Sequence, residues 1–312
     1  MRCLAAFALL AGCTGGIDYP HFPAALEDAR CAYYVRCGVA AGAAECQAYY
    51  DRISIANRST ETAVDMSIII YDGGIAQRCL DAYAALSCDV TELTGDELSI
   101  CSDVLTGTLA VGDTCAFDRE CASNNCSAPA CPTSCCSGTC EPAVALPSVG
   151  QPCTALCEGD AFCGLDQICH ASLPAGAACN AEPCAYGLYC AGRTGTMAGT
   201  CRPLPHLGQA CENACAEIGA TCYAGTCVEL ALLDDPCTSN AQCSMFYECS
   251  SMQCALFPTL GMPCTTTCYE ASYCDGTTCV AQKPTGSTCV RNDECASHYC
   301  ANSACADPPV CF

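Results

Sequence analysis

The chain has 312 residues, 33 of them acidic and 11 basic, a net charge of −22, no Trp and 40 cysteines. Cysteine inflates the 52% hydrophobic fraction; without it roughly 39% remains, too little large apolar surface for a conventional core along the whole length. Nucleic-acid binding is excluded, because phosphates need clustered Lys and Arg. A cysteine content of about 13% excludes a reducing compartment unless the thiols hold metal. The acids are scattered, as on a soluble and self-repelling surface.

In chain order, Arg2 precedes an apolar run from Leu4 to Ala11. The run is too short for the ~20 residues of a membrane span and fits the core of a signal peptide. Leu10-Ala11-Gly12-Cys13 resembles the lipobox of bacterial lipoproteins. That resemblance implies a signal peptide over 1–12, lipidation of Cys13 as the first mature residue and a short tether over 13–16. It also implies a lipid anchor in the membrane as one partner, and Thr14 after the cysteine favours the outer membrane or cell surface. No later stretch is long enough to span, so the remainder is expected outside the cytoplasm.

Residues 17–110 read as a disulfide-stapled α-helical domain of about four helices. Leu26, Ala29, Tyr33 and Cys37 fall on one helical face, Cys46, Tyr49, Tyr50 and Ile53 on a second, and Cys79, Tyr83 and Leu86 on a third. Ile68–Tyr71 is β-prone, and Asp72-Gly73-Gly74 reads as a turn after it. Cys31 and Cys37, six residues apart on one helix, point about 120° from each other and so should bridge to different elements. The expected pairs are Cys37–Cys46, Cys31–Cys79 and Cys88–Cys101.

From residue 111 to 312 the cysteines form seven groups of four, beginning at Cys115, Cys153, Cys179, Cys211, Cys237, Cys264 and Cys289. Most follow a G-x-x-C signature and are separated by Pro-bearing linkers. The first gap is five residues in the units at Cys115, Cys237 and Cys289, and three or four in the others. Unit 1 carries an insertion with Cys135, Cys136 and Cys140, and Cys311 stands near the end. Setting aside Cys3 and Cys13 leaves 38 cysteines, an even number suited to bridges. A unit of about 25 residues cannot bury a core and needs staples. Short β-hairpins with irregular loops, strung as a beaded rod, are the expected form.

Units 1 and 7 share a C-x5-C-x4-C-x4-C core with Glu before the second cysteine: Cys115, Glu120, Cys121, Cys126 and Cys131; Cys289, Glu294, Cys295, Cys300 and Cys305. The spacing resembles the Dickkopf-type N-terminal cysteine-rich module, and the whole chain resembles cysteine-rich bacterial lipoproteins carrying such repeats. The resemblance implies an extracellular contact role.

Motifs for chemistry are few. No cysteine pair has the C-x-x-C gap of zinc ribbons and thioredoxin-like sites. The four histidines (His21, His170, His206, His298) are scattered, and there is no G-x-S-x-G, H-E-x-x-H, Walker or G-x-G-x-x-G motif. No enzyme, cofactor or metal site is expected. The expected function is that of an exported, lipid-anchored, non-catalytic binding or structural/adhesion module, with an extracellular protein or glycan as ligand. Three alternatives stay open. One is a protease inhibitor or toxin-like effector, suggested by the Cys135-Cys136 doublet; the second is a thiolate metal-binding protein; the third is a hydrolase without a familiar motif in the helical base.

Overall fold

The computed structural model describes residues 16–53, 58–93, 95–127, 137–180, 182–194, 197–264, 268–269 and 271–307. Cys13, with the leader and anchor expected around it, lies outside these residues, as do Cys131, Cys135, Cys136 and Cys311. The described chain is disulfide-rich, with 17 bridges, one N-terminal helical region and many short antiparallel strand pairs.

Four helices build the base: α1 (Phe22–Arg36), α2 (Ala43–Ile53), α3 (Arg58–Asp65) and α4 (Gly73–Ala85). Strand β1 (Ile69–Tyr71) pairs antiparallel with β2 (Leu105–Gly107). Pro23 opens α1, where a missing N–H costs nothing, and Gly38, at φ 69°, follows its end. Asp72 proves to be a helix cap rather than part of a turn. Its carboxylate accepts from the N–H groups of Gly74 and Ile75, both at 2.8 Å, and so starts α4. At the other end of α4 the Arg36 guanidinium donates to the carbonyls of Tyr83, Ala84 and Leu86, groups that no further helical turn satisfies.

The three base bridges are Cys31–Cys46, Cys37–Cys88 and Cys79–Cys101, which corrects all three expected pairings. Cys31 and Cys37 do diverge, but Cys31 is the one that faces α2. Cys37 caps the end of α1 and reaches the segment after α4 instead. Cys79 bonds to Cys101 in the 3-10 turn Ser99–Val104 rather than to Cys31, in a cluster with Phe22 of α1, Ala76 and Val104.

Each of the seven repeat units joins its first cysteine to its third and its second to its fourth. Third and fourth cysteines face each other across an antiparallel hairpin, as in Cys222↔Cys227, Cys249↔Cys254 and Cys300↔Cys305. The sulfurs thus form the small core that the sequence could not supply from larger side chains. In unit 1 the fourth cysteine is Cys140, bonded to Cys121, and not Cys131. Cys131, Cys135 and Cys136 fall in the sequence between the paired residues Cys126 and Cys140, outside the described residues.

The G-x-x-C signature is a backbone requirement. Three residues before each first cysteine, the N–H of Gly112, Gly150, Gly176, Gly208, Asp234, Gly261 or Gly286 donates to the carbonyl of the same unit's last cysteine. Each of these residues has φ between 68° and 97°, the left-handed region that glycine enters freely. Asp234, the exception, is a residue type that tolerates it.

Linkers separate the units into two alternating kinds. Leu109, Leu173, Ala231 and Lys283 each run parallel to the second cysteine of units 1, 3, 5 and 7, donating and accepting a backbone bond. In units 2, 4 and 6 Pro147, Pro205 and Pro258 stand there and only accept, since proline has no N–H. Unit 3, grouped by gap length with the short class, belongs by this bond with units 1, 5 and 7.

The array is not a free rod. Units 4, 5 and 6 fold back on the helical base, a correction to the expected beaded form. Phe246 of unit 5 is 1% exposed and sits edge-on to Tyr34 and Tyr49, in one cluster with Cys31, Val39, Cys46 and Cys254. Ser244 donates to the Val39 carbonyl, and the Tyr247 hydroxyl accepts from the Ala41 N–H at 3.2 Å. Unit 4 adds an edge contact, with Val90 N–H to the Ala216 carbonyl and Ile218 N–H to the Cys88 carbonyl. In unit 6 the Tyr269 hydroxyl reaches the Glu45 carbonyl. One aromatic plug in unit 5 supplies a core that a 25-residue unit lacks alone.

Candidate functional site

The recurring Glu of units 1 and 7 is the natural first candidate. Glu120 is 2% exposed and accepts the Ala116 N–H at 2.6 Å. Glu294 accepts from Arg291 N–H at 3.2 Å and from the backbone N–H of Val290. Gln242 does the same in unit 5 for Thr238 and Ser239. Each is the third residue of a 3-10 turn (Asp118–Glu120, Asn240–Gln242, Asn292–Glu294) and reaches back to the turn's start. The acid shared with the Dickkopf-type spacing is a cap.

The first residue of the same turns is a site the sequence reading missed. Asp118, Asn240 and Asn292 accept the N–H of the unit's third cysteine, Cys126, Cys249 and Cys300, at 2.7, 2.7 and 2.9 Å. The signal was present as [DN]-x-[EQ]-C in three units. Asn292→Ala is expected to cost about 1 kcal/mol and to speed amide exchange at Cys300, read by hydrogen-exchange mass spectrometry. Unchanged exchange there would remove the clamp from the account.

Between units 6 and 7 lies an open groove of about 590 Å³, lined by Tyr273, Asp275, Lys283, Val290, Arg291 and Glu294. It holds the chain's only lysine. Lys283 Nζ is 2.5 Å from Glu294 Oε2, 3.0 Å from the Thr288 carbonyl and 5.4 Å from the Tyr273 ring centre. Arg291 donates to the Cys274 carbonyl at 2.8 Å and lies 3.4 Å from Asp293. The Lys283 hydrogen bond holds the Glu294 carboxyl below its ordinary range, and Glu294 in turn raises Lys283. Hydrogen bonds from the Thr278 and Thr277 backbone lower Asp275. The cations here are already engaged, so the groove presents a neutralised polar surface and not an anion trap.

The sign of the Glu294 shift sets a pH dependence. A carboxyl with a depressed native pKa contributes stability that is present above its ordinary pKa and is lost as pH falls through the native one. Unit 7 is therefore expected to loosen on acidification through Glu294, and Glu294→Gln, which keeps the cap as Gln242 does, should remove that contribution. Acid titration of unit 7 amide signals by NMR checks this, and an identical acid response in the variant would refute it.

A second groove, of about 500 Å³, runs along the linker between units 1 and 2, lined by Val144, Leu146, Pro147, Pro152, Thr154 and Leu156. Val144 and Leu156 are 72% and 68% exposed. It is the more apolar of the two and is suited to contact rather than chemistry.

The histidines stay apart. His21 pairs with Asp18 at 3.3 Å and His170 with Asp166 at 3.0 Å. His206 lies 3.1 Å from Glu217 and 3.5 Å from Asp89, across the seam of unit 4 and the base. His298 occupies a left-handed turn position, φ 51°, which Asn124 fills in unit 1. Each of these placements is a local or seam contact.

Three sulfurs of a unit approach within 4.8 Å of one another, as in Cys115, Cys121 and Cys126. Such a cluster is the shape a thiolate site would need if reduced. In the structure these sulfurs are joined in pairs. Cys115, Cys121, Cys126 and Cys140 share one cluster, and Cys289, Cys295, Cys300 and Cys305 share another. No helix among the described residues is long and apolar enough to cross a membrane. No protein-family model, curated protein or solved structure matches the chain.

Proposed function

We propose that this chain is an exported, lipid-anchored, non-catalytic binding or structural module of the cell envelope. The observation that carries the reading is how each unit uses its reactive groups. All four core cysteines go into two bridges, and in units 1, 5 and 7 the buried acids Glu120 and Glu294 and the amides Gln242 and Asn292 go into bonds with the unit's own backbone. What such a unit offers outward is a rigid loop surface, including the apolar groove of Val144, Leu146 and Leu156. Dense bridging favours an oxidising location, and the Leu10-Ala11-Gly12-Cys13 signature supplies the anchor at Cys13. A protein or glycan outside the cell is the partner class that fits.

A thiol and metal count on natively purified protein tests this. Essentially no free thiol and no bound metal is expected. Many free thiols with stoichiometric zinc or copper would replace the reading with a thiolate metal protein.

A further inference from the structure

Of the bridges among the described residues, Cys37–Cys88 alone has neither half-cystine buried. Each of the others has at least one member at or below 9% exposure. Among the described bridges it also closes the longest loop, with a sequence separation of 51. Its position is distinctive as well. Cys88 gives its carbonyl to the Ile218 N–H of unit 4 at 2.9 Å, and Val90, two residues on, donates to Ala216 at 2.8 Å. Gly219 lies so close to the Cys37 carbonyl that a Cβ there would fall 2.0 Å from it. Val39 and Ala41, just beyond Cys37, hold Ser244 and Tyr247 of unit 5. The bridge therefore ties together the two base segments on which the array is seated.

We infer that Cys37–Cys88 is a thiol–disulfide exchange site for an external dithiol, and that its reduction releases the unit 4 edge from the helical base. One thiolate of the dithiol attacks a sulfur of the bridge, forming a mixed disulfide and expelling the other sulfur as a thiolate, which takes up a proton. The dithiol's second thiolate then attacks the mixed disulfide and frees the first sulfur, which is protonated in turn. The bridge gains two electrons and two protons, and the dithiol becomes a disulfide. Access favours this bridge, because exchange needs an approach path to sulfur, and here both half-cystines are partly exposed whereas every other described bridge has at least one buried.

The base itself stays folded through this step. Cys31–Cys46 and Cys79–Cys101 remain, Tyr33 still donates to the Ser87 carbonyl at 3.0 Å, and Arg36 still holds the end of α4. What loses its footing is the strip Cys88–Val90 and, opposite it, Ala216–Gly219. The inference goes beyond the binding reading, since it assigns a reaction and a response without depending on the ligand.

The test treats the full oxidised chain with limiting dithiothreitol in one arm and with a reduced Cys-x-x-Cys dithiol protein in the other. Freed thiols are alkylated and mapped by mass spectrometry. Cys37 and Cys88 are expected to label before any other described pair, with amide exchange at Val90 and Ile218 rising about tenfold or more. Reaction in the protein arm assigns the dithiol to a protein donor, and reaction with dithiothreitol alone assigns it to small dithiols. Another described pair labelling first, or labelling without faster exchange at Val90 and Ile218, would overturn the inference. Cys37→Ser with Cys88→Ser is expected to show the same fast exchange with no reductant; unchanged exchange there would equally overturn it.

Discussion

Phe246→Ala is expected to destabilise the junction of base and array by about 3–5 kcal/mol, the range for emptying a well-packed aromatic site. The ring is 1% exposed and meets Tyr34 and Tyr49 at centroid distances of 5.8 and 5.1 Å, with Tyr247 at 6.4 Å. Its walls include the Cys31–Cys46 bridge, which cannot move in to fill the space left by the ring. Few other large apolar side chains are fully buried anywhere in the described chain, Ile69 and Val104 among them. The loss therefore falls on the largest fully buried side chain of a sparse core. With no Trp present, tyrosine fluorescence during urea unfolding of the oxidised protein reports on this cluster directly. A loss below about 1 kcal/mol, the scale of an ordinary surface change, would mean that unit 5 is not seated on the base.

The cysteine rhythm made the units, their number and their hairpin character legible, because spacing and G-x-x-C punctuation are local properties. Connectivity inside the base was not. Which sulfur faces which helix depends on where α1 ends, and Cys37 lies one residue beyond that end. The identity of the fourth cysteine of unit 1 was hidden by the close copy of unit 7, since Cys131 matches by spacing while Cys140 matches by strand register. Some hairpin tips were equally silent. Ser251 and Met252 both take left-handed φ, 52° and 66°, in a two-residue turn that carries none of the usual Asn-Gly chemistry. There the bridged pair Cys249↔Cys254 fixes the register that turn residues would otherwise set.

Fold-back was the largest feature missed. A single Phe in a cysteine-rich unit gives no sign in the sequence that it plugs a helical face some two hundred residues earlier. The expectation of a beaded rod followed from treating the units as equivalent. They share a scaffold, but their outward contacts differ. Unit 5 completes the base, whereas the described core of unit 7 consists of its own four cysteines.

That difference gives the last prediction its form. Removing Cys295–Cys305 as a Ser pair and removing Cys243–Cys254 as a Ser pair delete bridges of nearly equal loop length, with separations of 10 and 11. Chain entropy alone assigns each about 3 kcal/mol. In unit 7 the lost pair is half of an isolated sulfur cluster, so exchange protection should vanish from Gly286 to Cys305 and persist elsewhere. In unit 5 Cys243 and Cys254 belong to the same cluster as Phe246, Cys31 and Val39, so the opening should spread across the seam to Val39–Ala41 and the Tyr-rich faces of α1 and α2. Hydrogen-exchange mass spectrometry on the two oxidised variants distinguishes the cases. Equal, unit-confined losses would restore the picture of independent beads, and a collapse of the whole array in both variants would show a cooperativity that the two-bridge scaffold does not provide. Spread in unit 5 together with confinement in unit 7 is the pattern required of an array whose units are stapled individually and seated on the base by one aromatic plug.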